Sequence, residues 1–128
     1  MSLSKTEVLA FGEDSVVIRN YVAGIVGGKA LDTTGYSQKY IKAGHVVIRD
    51  TATGTYKPMP LNTDGTAYAT LPTSSEYAGF VISTVPTEEP LVGIMYAGEV
   101  NDEAVPYSVA SIATAIKAAL PQIAFLHD

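Results

Sequence analysis

The sequence predicts a mainly β (α+β) fold, built as one small domain, and three observations predict it. Turn-forming clusters recur at short spacing through the 128 residues, the apolar runs between them are short and rich in Val, Ile and Tyr, and only one stretch near the C-terminus has helical spacing. The length allows one core and not two. Apolar residues make up 47% and charged residues 16%, a balance that excludes disorder as a description of the whole chain.

Residues 1 to about 15 mix small, polar and charged positions around Val8, Leu9 and Phe11, with Gly12-Glu13-Asp14-Ser15 as a turn signal, and read as an arm. Val16 to Asn20 is β-branched and ends in a turn former. The segment from Tyr21 to Gly28 carries three glycines, which weaken any regular assignment. Downstream, His45-Val46-Val47-Ile48 predicts a strand, Thr51 to Gly54 a tight turn, and Thr55 to Met59 a return across it. Pro58 and Pro60 lack ladder donors, so the returning segment should be an edge strand. Asn62-Thr63-Asp64-Gly65 is a further turn. Ala78 to Ser83 is a short apolar run, and Leu91 to Val100 is expected to be the longest strand.

The helix is expected to begin near Ser108 or Ser111, either of whose hydroxyls can cap free amides, and to run to Pro121. Ile112, Ile116 and Leu120 recur every four positions and form one apolar stripe. Burial of each is worth about 1.5–3 kcal/mol, enough to dock a helix too short to persist alone. Gln122 to Leu126 is a candidate last strand, with Ile123 and Phe125 on one face.

Charge and motifs narrow the function. A net charge of -5 argues against a nucleic-acid partner, because neutralising phosphates needs a basic face. The absence of cysteine removes disulfides, thiolate nucleophiles and zinc-thiolate sites. The start shows no signal peptide, and no run approaches the roughly 18 apolar residues of a membrane span, so a soluble protein made in the cytoplasm, without a membrane partner, is expected. Gly24 to Lys29 invites a phosphate-loop reading, but the motif needs glycine at Ala23 and Ser or Thr at Ala30. His45 and His127 are the only histidines and have no metal-ligand spacing, so no metal and no cofactor is expected, and His45 reads as a solvated or structurally hydrogen-bonded residue. Glu99, Asp102 and Glu103 are close enough in sequence for acid–base pairing. Asn101-Asp102-Glu103 nevertheless reads better as a turn or cap after a strand, and no nucleophile or electrophile accompanies it. The eight tyrosines form no sustained stripe and read as core and interface residues. No enzyme is expected.

One ordered series of short motifs remains. Ile41-Lys42-Ala43-Gly44-His45-Val46-Val47 is followed by Thr53 to Pro58, then by Ala78-Gly79-Phe80-Val81, then by Ala97-Gly98-Glu99-Val100-Asn101. The chain ends with Ile112, Ile116 and Leu120 before an Ile-x-Phe strand that includes Phe125. In this order, over about residues 16–126, the series resembles the lambda-type head decoration proteins of tailed bacteriophages.

The resemblance implies a small β-barrel-like or β-tulip domain over residues 20–128, which trimerises on the outer surface of an expanded icosahedral head. It implies a capsid-binding arm over residues 1–19 that adds to the sheet of the major capsid protein. Val8, Leu9, Phe11, Val16 and Ile18 would give that arm its apolar side chains. Three arms on one trimer would bind together. The protein would then be a virion component that braces the shell mechanically. Asp32 to Gln38 and Thr63 to Ser75 depart from the compact family pattern, leaving room for a fibre attachment or extra contacts. The alternative is therefore an adhesive or carbohydrate-binding module, or a head-fibre base, displayed on the capsid, with tyrosines as glycan platforms.

Overall fold

The computed structural model describes residues 17–126. Among these residues eight strands and one helix follow in the order β1 (Ile18–Ala30), β2 (Tyr40–Ile41), β3 (Val46–Asp50), β4 (Tyr56–Pro58), β5 (Ser75–Val81), β6 (Val85–Pro86), β7 (Leu91–Val100), α1 (Ala113–Ala119) and β8 (Ile123–Phe125). The fold is mainly β, as the spacing of apolar runs and turns predicts.

The main sheet runs β1-β7-β5-β3-β4, all neighbours antiparallel, and β8 joins β7 in parallel. β5 and β8 share the side of β7 away from β1: β5 pairs at Ile94 and Met95, β8 at Gly98 to Val100. A second, two-stranded sheet joins β2 to β6. The chain leaving β1 donates the Asp32 N–H to the Tyr56 carbonyl of β4 at 2.9 Å, and the Lys29 ammonium stands 5.6 Å from the Tyr56 ring centroid. The two ends of the strand path therefore meet at one corner, giving the sheet a barrel-like curl.

Alternation along the strands fills two cores, one on each face of the sheet. Val46, Ile48, Phe80, Met95 and Val100 point to one side and are covered by Met59, Val109, Ile116 and Ile123. Val47, Val81, Val92 and Ile94 point to the other, under Leu31 and Ile41. Ile116, on α1, is fully buried, while Ile112 and Leu120 are partly buried against the same cluster, so the three-residue stripe does face the sheet. Phe125 packs edge-on against Phe80, with centroids 5.9 Å apart.

Four details differ from the sequence expectations. β1 has 13 residues and exceeds the 10 of β7, because four register shifts let its glycine-rich half stay paired to β7. The helix begins only at Ala113, after Ile112, and has no side-chain cap. Ser108 instead accepts the Ala110 N–H before the helix, and a turn from Val109 to Ile112 leads into it. Docking of Ile116, rather than capping, holds this seven-residue helix. Finally, Ile18, assigned to the arm, pairs with Val100 in β1 and packs against the first core, and Val17 beside it is buried. Val8, Leu9, Phe11 and Val16, like His127, lie outside the described residues.

Candidate functional site

The glycines of the motif series mark close backbone approaches within the sheet. Gly79 (φ 154°) and Gly98 (φ 149°) both adopt backbone conformations that favour glycine. A Cβ at Gly79 would meet the Met95 carbonyl oxygen of β7, and one at Gly98 the Asn20 carbonyl oxygen of β1. Gly79 also stands at the register shift between β5 and β3. Gly44 is buried in the turn before β3, where its N–H bonds the Val81 carbonyl at 2.8 Å. These residues build the scaffold at the crossings of β1, β3, β5 and β7.

Beyond Gly98 the chain turns, and the turn uses the polar residues that sequence spacing singled out. The Asn101 side-chain oxygen accepts the N–H groups of Glu103 (3.0 Å) and Ala104 (3.2 Å), and the Asn101 N–H bonds the Val17 carbonyl at 2.8 Å. Glu99 accepts from the Asn20 amide at 3.3 Å. The Glu99–Glu103 stretch therefore joins β7 to β1 and forms an Asx turn, the capping role expected of it. Among the described residues, no three His, Cys, Asp or Glu side chains converge as metal ligands.

Two features have less sequence signal. One is the apolar exterior of the β1–β7 ribbon. Tyr21 and Val22 of β1 are 48% and 63% exposed, and the register sets them opposite the Tyr96–Gly98 stretch of β7, where Tyr96 is 42% exposed. Leu91 is 61% exposed opposite Ala30 at the far end. β1 is also an edge strand of its sheet, so its outer backbone groups face away from the ladder.

The other is a histidine–tyrosine cluster. His45 is fully buried, and Tyr36, Tyr68 and Tyr107 stand edge-on around it with centroids 5.2–5.6 Å away. His45 Nε2 lies 2.9 Å from the Met59 carbonyl oxygen, so Nε2 carries the proton. Nδ1 has no hydrogen-bond partner among the described residues. Burial pushes the imidazole pKa down to about 4, against a smaller opposing effect of the Met59 bond. The Tyr68 hydroxyl in turn accepts the Val46 N–H at 3.0 Å. The expectation of a structurally bonded His45 agrees with this geometry. The three tyrosines come from positions 36, 68 and 107, so no local spacing could have joined them.

Next to this cluster an open cleft of about 410 Å³ lies between the 32–37 loop, β4 and the 60–63 turn. Asp32, Tyr36, Lys57 and Asn62 line it, with Ile48 and Pro60 among its apolar contacts. The Thr34 hydroxyl and N–H both donate to Asp32 Oδ1, at 2.7 and 3.1 Å, and hold the carboxyl below its ordinary range. No family model matches this chain, and neither a curated protein nor a solved structure is significantly similar to it.

Proposed function

We propose that this protein is a noncatalytic structural component of a tailed-phage virion, binding the outer surface of the icosahedral head as a homotrimer and stabilising the expanded capsid. The observation that carries the reading is the place of the motif series within the fold. Gly79 and Gly98 of that series stand where only a glycine lets two strands approach, and its Ile112, Ile116, Leu120 and Phe125 pack the first core. These members of the series build the domain.

Two further features support an assembly role. The exposed Tyr21, Val22 and Tyr96 provide apolar area on an edge strand, which fits contact with another copy of the chain or with a capsid subunit. The carboxylates at Glu99 to Glu103 fall at a β-strand exit organised by Asn101. In this reading the major capsid protein is the partner, and the arm at the N-terminal side of β1 supplies the attachment.

The reading is tested by heating expanded empty heads with and without saturating protein and following their rupture by light scattering. Decorated heads should rupture at a temperature several degrees higher. Identical rupture profiles would contradict a stabilising role.

A further inference from the structure

The cleft beside β4 is walled by the two segments that depart from the compact decoration-protein pattern. Asp32 and Thr34 to Ser37 of the first form one wall, and Thr63 and Pro72 of the second join Pro60 to Asn62 in the other. The two segments also approach each other beyond the cleft: the Gln38 amide nitrogen stands only 2.7 Å from where a Cβ at Gly65 would be. Both are internally braced. Asp32 closes its turn through Thr34, and the Tyr36 N–H bonds the Thr33 carbonyl at 2.9 Å. On the other side, Asn62 Oδ1 accepts the Thr66 N–H at 3.0 Å, and the Ala69 N–H bonds the Pro60 carbonyl at 2.9 Å. Such walls are set before any ligand arrives, which lowers the ordering cost of binding.

The lining chemistry selects a ligand class. Asp32 supplies an anionic acceptor and Lys57 a cationic donor within electrostatic range of each other, so an ion of either sign meets a like charge as well as an unlike one. A neutral polyhydroxyl ring suits both groups, giving an O–H to the carboxylate and taking an N–H from the ammonium. Pro60 and Leu61, both partly exposed, offer apolar surface for its C–H face. The Tyr36 ring, held from behind by His45, stiffens the same wall. The volume of about 410 Å³ lies in the range of small-ligand sites.

We propose that this cleft is a binding site for a neutral saccharide, with Asp32 and Lys57 as its polar contacts and the Pro60–Leu61 surface as its floor. The proposal is independent of capsid attachment, since the cleft is complete within one chain, and it is tested on the isolated protein. Full-length protein labelled with nitrogen-15 is titrated with maltose, lactose, cellobiose, mannobiose and diacetylchitobiose while amide shifts are followed. At least one disaccharide should produce saturable shifts confined to residues 32–37 and 57–63, half-complete at about 1 mM or below.

Asp32→Asn keeps an acceptor for Thr34, and Lys57→Met keeps the side-chain stem. Each should weaken binding about tenfold, the effect of losing a hydrogen bond to a charged group. Thr63→Trp should fill the cleft and abolish the shifts, with the spectrum of the remaining domain unchanged. The proposal is overturned if none of the five sugars gives saturable shifts at these amides up to about 10 mM. It is equally overturned if the shifts survive all three substitutions, or if inorganic phosphate or a tripeptide saturates these amides in place of the sugars.

Discussion

At the scale of single residues, His45 is the group whose chemistry depends most on its surroundings. Its Nε2–H is spent on the Met59 carbonyl, and a proton on Nδ1 would add a charge and an unpaired donor among three tyrosine rings. The native pKa of about 4 lies below the ordinary 6.5, so the unfolded chain binds more protons between these values. Stability is therefore complete above pH 6.5 and falls as the pH drops towards 4, by up to about 3 kcal/mol. Asp32 and Asp50 are also held below their ordinary range, and the stability they contribute is lost only as the pH falls through their native values, below this window. Urea unfolding from pH 7.5 to 4.5 should show this loss, and His45→Gln should flatten it. A slope unchanged by the substitution would assign the pH dependence to other groups.

At the scale of elements, α1 and the start of β1 make separable predictions. Ile116→Asp places a carboxylate in a fully buried position and should cost more than about 4 kcal/mol, leaving no cooperative thermal transition. Ile116→Ala should cost about 3 kcal/mol and remain folded. A stable Asp variant would mean that the helix presents another face. At the other end, Val17 is buried, its carbonyl accepts the Asn101 N–H, and Ile18 pairs with Val100. A chain beginning at residue 20 should thus be less stable by about 2 kcal/mol or more than one beginning at residue 17. Equal melting temperatures would return residues 17–19 to the arm.

These elements also show how far the sequence was legible. β7 was readable to the residue, because Leu91–Val100 is a long apolar run bounded by Pro90 and a turn at Asn101. The place of β4 at the sheet edge followed from Pro58, which has no N–H for a second neighbour. β1 was not legible. Its glycines lower local strand propensity, and only the non-local ladder to β7, with its bulges, makes the segment regular. Ser108 and Ser111 both have the chemistry of a cap, yet the helix starts at Ala113, because the packing of Ile116 decides where it forms. Neither the His45–tyrosine cluster nor the cleft had a sequence signature, since each joins segments tens of residues apart.

At the scale of the whole molecule, the fold is a stiff β scaffold with both sheet faces filled, an edge strand carrying exposed apolar side chains and a net charge of -5. That combination suits a part that gains its role by assembly. Edge exposure is a hazard for a free protein and an asset for one that is covered by a partner. The central claim, attachment to a matured phage head, is tested most directly by cosedimentation of the purified protein with expanded and unexpanded empty heads. The account predicts saturable binding to expanded heads, in multiples of three copies per site, and none to unexpanded heads. Failure to sediment with expanded heads, or equal binding to both forms, would contradict it.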